Sequence, residues 1–451
     1  MYETYKSVNE NPCNMCMPLG GIIAFRGIEK SMVLLHGSQG CATYMRRHIA
    51  EHYHEPIDVA SSSLNEKGTV YGGEKNLIKA LDNVIKVYNP NCIGILTTCL
   101  AETIGEDIDR IKSEYKISRN ISIPIITAPT PGYGGTHSEG FVKTSYRIVE
   151  ELSTDKERHD RINVIVPNIS TADLREIKRL LELMKIPYIL FPDYSDTLDS
   201  PLNFPYKKIP DGGTKISDIM SMGGSIATIE IGINYEETPG KYLQDRFNVP
   251  LYKVPIPIGL RNTDAFLKLL KEITGNPIPK SIEMERGRLL DGMIDSHKYN
   301  FEGRCTIFGD PEMVYSVFTT CMENGIHPLL IATGSKAQRL KELIAGENNP
   351  LDDDITIVDE TDFSRILKLS EEKEVNIAIG PSDGKYLTEK GGIPLVRIGF
   401  PILDRVGGQR ILSVGYIGTL NFLDRITNTL LENKYKTYRK DMYEKYYKVL
   451  T

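Results

Sequence analysis

The sequence has no run of about 18 uninterrupted apolar residues, the length that a membrane-spanning helix requires. Its N-terminal segment also lacks a basic stretch followed by an apolar one, which is the pattern of a secretory signal. Basic side chains are not in excess, because 54 Lys and Arg stand against 60 Asp and Glu, and no long basic stripe is interleaved with aromatics. These absences predict a cytoplasmic protein without membrane association and exclude nucleic acid as a partner class.

Motifs for nucleotide binding are missing as well. The sequence contains no G-x-x-x-x-G-K followed by Ser or Thr, and no G-x-G-x-x-G after the first apolar strand, so we do not expect the chain to hydrolyse ATP itself. The seven cysteines are an odd number at irregular spacing, which is not the pattern of a disulfide framework. Because cytosolic thiols are normally kept reduced, metal binding or plain burial must explain them.

The length and the residue pattern predict three α/β domains. The chain has 451 residues, and one hydrophobic core serves about 150 residues. Short apolar runs alternate with longer amphipathic stretches, as in βαβ units that build a parallel sheet. The pattern restarts at Ile162, where a helix is predicted over 171–185, and again at Arg304. The predicted fold class is therefore α/β, with three Rossmann-like domains, each a mostly parallel sheet flanked by helices.

Two polar stretches are the expected joints between these domains. They are the polar segment 153–161 and the charged segment 283–299. The Lys- and Tyr-rich tail over 428–451 contains few helix breakers, so we expect a helix that lies over another domain or a partner. The predicted domains are 1–155, which carries the candidate cysteines, 156–297, and 298–451 with the helical tail.

Three cysteines lie near the carboxyl ends of predicted strands, where ligands gather in open parallel sheets. Cys41 follows the strand SMVLLH and the turn GSQG, and Cys99 follows the apolar run CIGILTT. Both lie where the next helix begins, and a helix N-terminus lowers the pKa of a thiol and favours the thiolate that binds metal. Cys16 precedes the first strand in NPCNMCMPLGG, where a Pro- and Gly-rich turn can bring it over the same edge. We predict that Cys16, Cys41 and Cys99 converge as metal ligands.

Other thiols and imidazoles have simpler interpretations. Cysteines in or beside apolar runs are expected to be small buried hydrophobes, and these are Cys92, Cys305 and Cys321. Three histidines and two arginines follow Cys41 on one predicted helix without an H-E-x-x-H motif, so they are expected to form a solvated or interface-facing surface. They are Arg46, Arg47, His48, His52 and His54.

Two kinds of inorganic site compete for the remaining cysteines. Cys13 and Cys16 have the spacing of half a structural zinc site, which Cys41 would extend, but a clear second C-x-x-C or H-x-x-x-H pair is missing. Three thiolates suit an iron–sulfur cluster whose remaining ligands come from another chain, because such clusters take about four cysteine ligands. For Cys13 both metal binding and burial stay open. The cysteine pattern therefore favours an iron–sulfur cluster shared with a partner subunit.

Several segments together resemble the β-type chains of the nitrogenase component 1 superfamily. They are NPCNMCMPLGG, LLHGSQGCATY, EPIDVASSSLNEKGTVYGG, TTCLAETIGEDI, RIGFPILDR and GYIGTL, in matching order and spacing from about Asn11 to Leu431. The resemblance implies three Rossmann-like domains and an α2β2 assembly with a related α-type chain. It also implies an ATP-dependent iron protein as the electron donor.

Within this superfamily the resemblance points to two kinds of β chain. In the catalytic (NifK-type) chain, cysteines that match Cys16, Cys41 and Cys99 bind the P-cluster between the subunits and pass electrons toward a cofactor in the α chain. A serine that adds a ligand in that family corresponds to Gly132. The implied cofactor is an iron–sulfur cluster of the 4Fe–4S or the P-cluster-like 8Fe–7S kind.

The second half of the sequence looks closer to the cofactor-assembly (NifN-type) chain. The segments that carry this likeness are FPDYSDTLD, YKKIPDGGTKISDIMSMGGSIATIEIG and GFPILDRVGGQRILSVGYIG. We therefore expect first a NifN-like scaffold subunit that pairs with a NifE-like chain in iron–molybdenum cofactor maturation. The NifK-like electron-relaying β subunit, with a NifD-like partner, is the alternative, and some assembly chains lack the cysteine that Cys16 provides here. A structural zinc protein is the second alternative.

Overall fold

The computed structural model of the chain describes residues 13–347, 355–436 and 438–447. Within these ranges three sheets are present, and every pair of neighbouring strands in them is parallel. The predicted α/β fold class, with parallel sheets flanked by helices, is confirmed. No helix of the described ranges is long and apolar enough to cross a membrane.

The first sheet is built from buried apolar strands. Its strands are β1 (Ser31–His36), β2 (Ala60–Ser61), β3 (Cys92–Thr97) and β4 (Ile125–Pro129), and its helices are α1 (Met17–Arg26), α2 (Gln39–Tyr53), α3 (Glu66–Tyr71), α4 (Glu74–Tyr88), α5 (Cys99–Ile104), α6 (Ile108–Arg119) and α7 (His137–Leu152). The strand order is β2-β1-β3-β4. From β1 the chain crosses to β2 on one side, and β3 and β4 follow on the other side, so the strand order reverses between β1 and β3. Open α/β sheets bind ligands at such a switch point.

The second sheet has the equivalent order, β6-β5-β7-β8. Its elements are β5 (Ile162–Ile165), α8 (Thr171–Leu183), β6 (Tyr188–Phe191), α9 (Ile216–Ser221), β7 (Thr228–Ile231), α10 (Pro239–Phe247), β8 (Leu251–Val254), α11 (Leu260–Thr274) and α12 (Lys280–Asn300). The helix predicted over 171–185 is α8, and Leu174, Ile177 and Leu181 of its apolar face are fully buried. The charged segment 283–299 lies inside α12, so a continuous helix rather than a loop leads to the third sheet.

The third sheet has the order β11-β10-β9-β12-β13. Its elements are β9 (Arg304–Phe308), α13 (Pro311–Glu323), β10 (His327–Ala332), α14 (Gln338–Ala345), β11 (Thr356–Val358), α15 (Phe363–Glu372), β12 (Ile377–Gly380), α16 (Lys385–Gly391), β13 (Leu395–Arg397), α17 (Gly415–Tyr435) and α18 (Tyr438–Tyr446). Helix α17 packs on α12 and α8, so the start of the predicted helical tail does lie over another layer of the protein. Residues 437 and 448–451 of that tail lie outside the described residues. Each sheet takes its strands from one successive part of the chain, and the domain limits themselves stay predictions.

Helix α1 is buried on every side and packs on one face of the first sheet. All residues of Met17–Arg26 are buried, and the helix lies directly against α7. Two glycines allow this contact: a Cβ at Gly20 would lie 1.7 Å from the carbonyl oxygen of His137, and a Cβ at Gly140 would lie 2.0 Å from that of Met17. The two helix backbones therefore touch where any larger residue would force them apart.

A buried carboxylate joins the second sheet to the third. Glu312, in the first turn of α13, accepts hydrogen bonds from the backbone N–H groups of Ile233 and Asn234 at 2.8 Å each and from the Asn234 side chain at 3.0 Å. Burial raises the pKa of Glu312 from 4.5 to about 7, and the nearby Asp310 adds to the rise, while these hydrogen bonds oppose it. The folded protein therefore binds more protons at this site than the unfolded chain between these two pH values.

The raised pKa of Glu312 predicts that the protein loses stability as the pH rises from about 4.5 to about 7. Because the folded pKa is raised, stability is fully present below about pH 4.5 and declines until about pH 7, by roughly 3 kcal/mol in total for this group. We expect Glu312→Gln to remove this contribution. The measurement is urea unfolding of both proteins from pH 5 to 8, in which the stability of the wild type should fall relative to the variant by about that amount. Parallel curves for the two proteins would contradict the assignment.

Candidate metal centre

Each of the three predicted cysteines lies at the start of a helix. Cys16 is the N-cap residue of α1, Cys41 is the third residue of α2, and Cys99 is the first residue of α5. Helices α2 and α5 follow β1 and β3, which are adjacent in the sheet with His36 opposite Thr97. Cys41 and Cys99 thus lie at the switch point between β1 and β3, where the sheet order favours a ligand.

Cys16 reaches the same edge although it precedes the sheet in sequence. It forms an isolated antiparallel bridge with Thr136, in the loop between β4 and α7. Next to it, the N–H of His137 donates to the carbonyl oxygen of Met15 at 2.9 Å. The loop after β4 therefore fixes Cys16 at the carboxyl edge, beside the thiols that follow β1 and β3.

Gly132 lies directly beside the thiols of Cys16 and Cys99. Its backbone N–H donates to Sγ of Cys99 at 3.0 Å. A Cβ at this position would lie 2.7 Å from Sγ of Cys16 and 3.3 Å from Sγ of Cys99. The thiols as placed leave no room for a side chain, so residue 132 contributes a backbone donor and no oxygen ligand.

The pKa of the Cys16 thiol is affected by the charges of the other two thiols. Burial raises the pKa of Cys16 to about 11, and the charges of Cys99 and then Cys41 raise it further. Two adjacent thiolates disfavour a third one unless a cation compensates them. A positively charged metal group supplies that compensation, because it deprotonates the thiols that bind it. The donor set and the glycine beside it therefore fit an iron–sulfur cluster.

A network of polar side chains braces the strand ends behind the thiols. Nδ1 of His36 lies 2.9 Å from Oγ of Ser62, and its Nε2 contacts the carboxylate of Glu106. Oγ of Ser62 also accepts from the N–H of Gly37 at 3.0 Å, and Glu106 accepts from the N–H of Gly73. The imidazole thus ties the turn that leads to Cys41 to two other loops. No local pattern in the sequence indicates the two partners of His36, which lie 26 and 70 residues away along the chain.

Cys13 does not join the other three. Burial raises the pKa of its thiol to about 12, the charge of Asp383 adds to the rise, and the backbones of Gly309 and Gly334 hydrogen bond to it. These groups belong to the third-sheet part of the chain. In the ranges that the structure describes, no three His, Cys, Asp or Glu side chains are grouped to hold a single metal ion. The arrangement therefore gives no support to a zinc site built on Cys13, Cys16 and Cys41, whereas an iron–sulfur cluster distributes its ligands over several iron atoms.

The remaining three cysteines are buried, as their apolar sequence neighbours predict. Cys92 lies in β3, Cys305 in β9 and Cys321 in α13, and each is fully buried. Each is surrounded by apolar side chains of the core. The simple interpretation of these three thiols as small hydrophobes is confirmed.

The histidines of α2 do not all form the exposed surface that was predicted. Arg46 and Arg47 are exposed, but His52 is buried and its ring packs 4.8 Å from that of Phe400. Nδ1 of His52 accepts a hydrogen bond from the N–H of Ile402 at 2.9 Å. Burial lowers the pKa of His52 to about 3, so the ring is neutral at pH 7. The prediction was wrong for His52 because a loop of the third-sheet part packs on α2, which helical periodicity alone does not reveal.

Aromatic side chains near the thiols, and one on helix α3, which contacts α5, face solvent in the isolated chain. Tyr133, next to Gly132, is 68% exposed, Tyr44, one turn after Cys41, is 42% exposed, and Tyr71 at the end of α3 is 82% exposed. Cys99 is exposed as well. Exposed aromatic groups that accompany candidate ligands are typical of a surface that another subunit covers.

Taken together, fold and site define a class of protein: an α/β protein with three parallel sheets and three cysteines, candidate metal ligands, at one sheet edge. Residues 16–431 match the family described as nitrogenase component 1 type oxidoreductase. The chain belongs to this family.

Several known proteins are similar to the chain over nearly its whole length. The nitrogenase molybdenum-iron protein beta chain of Clostridium pasteurianum is 37% identical over 433 residues, which cover 95% of this chain and 94% of that protein. The protein of the same description from Methanococcus maripaludis is 36% identical over 444 residues, with 95% of each chain covered. A solved structure described as nitrogenase Cp1 at pH 6.5 has a TM-score of 0.92 at 35% identity, covering 97% of this chain and 96% of its own. A chain from nitrogenase Cp1 at pH 5, with a TM-score of 0.71 at 16% identity, is similar in fold alone.

Proposed function

We propose that the chain is the electron-relaying β subunit of a nitrogenase or a nitrogenase-like reductase. The observation that carries this proposal is that Cys16, Cys41 and Cys99 lie at three helix starts on one sheet edge, with Gly132 beside the thiols of Cys16 and Cys99. Both relatives described above are molybdenum-iron protein beta chains, which favours this reading over the NifN-like scaffold that sequence analysis put first.

In this proposal the three cysteines hold an iron–sulfur cluster together with ligands from a related α-type chain. Such a cluster, when bound, transfers electrons. The chain's own part is to orient the thiols from three helix N-termini, to donate the N–H of Gly132 toward a sulfur, and to keep the turns rigid through His36. A P-cluster-like arrangement would lack a side-chain oxygen ligand from position 132.

The proposed assembly is α2β2, with an ATP-dependent iron protein as the electron donor, working in the cytoplasm. The exposed aromatics Tyr44, Tyr71 and Tyr133 suit the contact with the α-type chain, because buried aromatic groups contribute strongly to subunit interfaces. The absence of a phosphate-binding loop is consistent with ATP hydrolysis by a separate protein.

The test is anaerobic co-expression with the related α-type chain of the same organism. We expect the two chains to co-purify with iron and acid-labile sulfide, and the complex to reduce substrate when an iron protein and ATP are added. A complex that carries iron and sulfide but only donates a matured cofactor to another protein would instead support the scaffold. Zinc without iron or sulfide would overturn both readings.

A further inference from the structure

The loop after β4, which carries Gly132 to the cysteine site, is held by hydrogen bonds to the end of β3. Oγ1 of Thr130 donates to the carbonyl oxygen of Thr97 at 2.9 Å, and the N–H of Thr130 donates to Oγ1 of Thr97 at 3.3 Å. The two threonines are therefore bonded to each other twice, once through each side chain. Both are buried, so water has little access to these bonds.

Glu102 fixes the direction of the Thr97 hydroxyl. A hydroxyl group has one hydrogen to donate and two lone pairs that accept. The Thr97 hydroxyl donates its hydrogen to the carboxylate of Glu102, in the first turn of α5, so a lone pair is left for the N–H of Thr130. Glu102 follows Cys99 by three residues on the same helix. The carboxylate thus connects the helix that carries the thiol with the loop that carries Gly132.

A tight turn leads from the anchored Thr130 to the sulfur of Cys99. The N–H of Gly134 donates to the carbonyl oxygen of Pro131 at 2.8 Å, a bond between residues three apart that is typical of a β-turn. Gly132 follows Pro131 in this turn, and its N–H donates to Sγ of Cys99 at 3.0 Å. Because the proline ring restricts the backbone between Thr130 and Gly132, the position of Thr130 determines where the Gly132 N–H points.

We propose that Thr97, Thr130 and Glu102 are positioning residues, which hold the Gly132 N–H on the sulfur of Cys99 and thereby raise the reduction potential of the cluster. This inference rests on the proposed function, because it takes Cys99 as a cluster ligand. Hydrogen bonds to the sulfurs are among the factors that set the potential of an iron–sulfur cluster. An N–H donor offsets negative charge on the sulfur and so favours the reduced state. The electron itself comes from the donor protein, and no covalent bond of the three residues changes.

The first measurement is hydrogen–deuterium exchange of the full chain without metal, followed by mass spectrometry of peptides that cover residues 130–136. Thr97→Val keeps the shape of the side chain but removes the hydroxyl, and Glu102→Ala removes the carboxylate that orients it. We expect the amides of this segment to exchange at least tenfold faster in both variants than in the wild type. Thr97→Ser keeps the hydroxyl and should exchange like the wild type. Glu102 is only half-buried, so Glu102→Ala keeps the test decisive if Thr97→Val is poorly folded.

Thr127→Val is the matched control for these variants. Thr127 lies in β4, three residues before Thr130, and is also buried. Its hydroxyl has no hydrogen-bond partner among the residues that the structure describes. Replacing this hydroxyl with a methyl group should therefore leave both the exchange of the loop and the potential of the cluster unchanged.

The second measurement is the midpoint potential of the cluster in the complex with the α-type chain, from a redox titration followed by EPR. We expect Thr97→Val and Glu102→Ala to shift the potential to more negative values while the iron content per β chain stays the same. Thr97→Ser should restore the wild-type potential, because it restores the hydroxyl that accepts from Thr130.

Two results would overturn the proposal. One is unchanged exchange of the loop in both Thr97→Val and Glu102→Ala. The other is faster exchange with an unchanged potential, because the three residues would then support the loop without acting on the cluster. A wild-type complex without iron would refute the proposed function instead, and the exchange measurement on the free chain would still decide whether these residues hold the Gly132 loop.

Discussion

Replacing Cys41 or Cys99 with alanine should strongly lower both the iron content and the reductive activity of the complex. Each variant removes one thiol from the group that Cys16, Cys41 and Cys99 form at one sheet edge, and Cys13 cannot substitute because its thiol faces the third-sheet part. We expect iron and sulfide per β chain to fall by more than half, and ATP-dependent turnover to fall at least a hundredfold, on the order of 3 kcal/mol in rate. Iron quantitation and a turnover assay measure the two effects.

Cys92→Ala is the matched control for these variants. It removes a thiol from the same sheet, but from the buried middle of the molecule. A small cavity should cost about 1 kcal/mol of stability and leave the iron content unchanged. Full iron and full turnover in Cys41→Ala would refute the assignment of that residue as a ligand.

Gly20→Ala should destabilise the protein strongly, because a Cβ at this glycine would make the shortest contact found for any glycine in the described ranges. The new Cβ would lie 1.7 Å from the carbonyl oxygen of His137 and 2.6 Å from the backbone nitrogen of Phe141, and neither backbone atom can move without displacing α7. We expect a decrease of about 3–5 kcal/mol in the free energy of unfolding, at the upper end of what overpacking causes. Urea unfolding followed by circular dichroism measures it.

Gly287→Ala provides the matched control, because it is also a Gly-to-Ala change inside a helix. Gly287 lies in α12, and nothing stands within 4 Å of the position that its Cβ would take. Alanine should therefore stabilise the protein by about 0.5–1 kcal/mol through its higher helix propensity. If the two variants unfolded at the same urea concentration, the close contact of α1 with α7 would not exist in the protein. Since α1 also carries Cys16 at its N-terminus, Gly20→Ala should lower the iron content in parallel.

Local patterns in the sequence were enough to predict the elements on which the site depends. The apolar runs SMVLLH and CIGILT became buried parallel strands, and the Gly and Thr residues that end them correctly marked where the chain turns into a helix. The positions of Cys41 and Cys99 follow from this local rule alone. The Pro- and Gly-rich segment after Cys16 was predicted to form a turn, but Pro18, Gly20 and Gly21 lie inside α1, where Gly20 lets that helix approach α7 closely.

Residues that meet across long stretches of chain escaped the same reasoning. Ser62 and Glu106 carry no local signal, and they contact His36 only because the loops after neighbouring strands end at one edge. The burial of His52 depends on a loop that follows β13, some 350 residues later. Cys13 and Cys16 are only three residues apart in sequence. Their surroundings differ because the backbone of the third-sheet part lies beside Cys13. Hydrophobic periodicity describes each element by itself and does not contain these contacts.

The sequence by itself determined the fold class and the positions of Cys41 and Cys99 at the starts of helices that follow strands, because strand ends and helix starts are local properties. Only the tertiary structure decided that Gly132 lies beside the thiols of Cys16 and Cys99, that Cys13 lies apart from them, and that His52 is buried. Those outcomes depend on which loops share a sheet edge and on which charges are desolvated together, and both are set by the packing of elements distant in the chain.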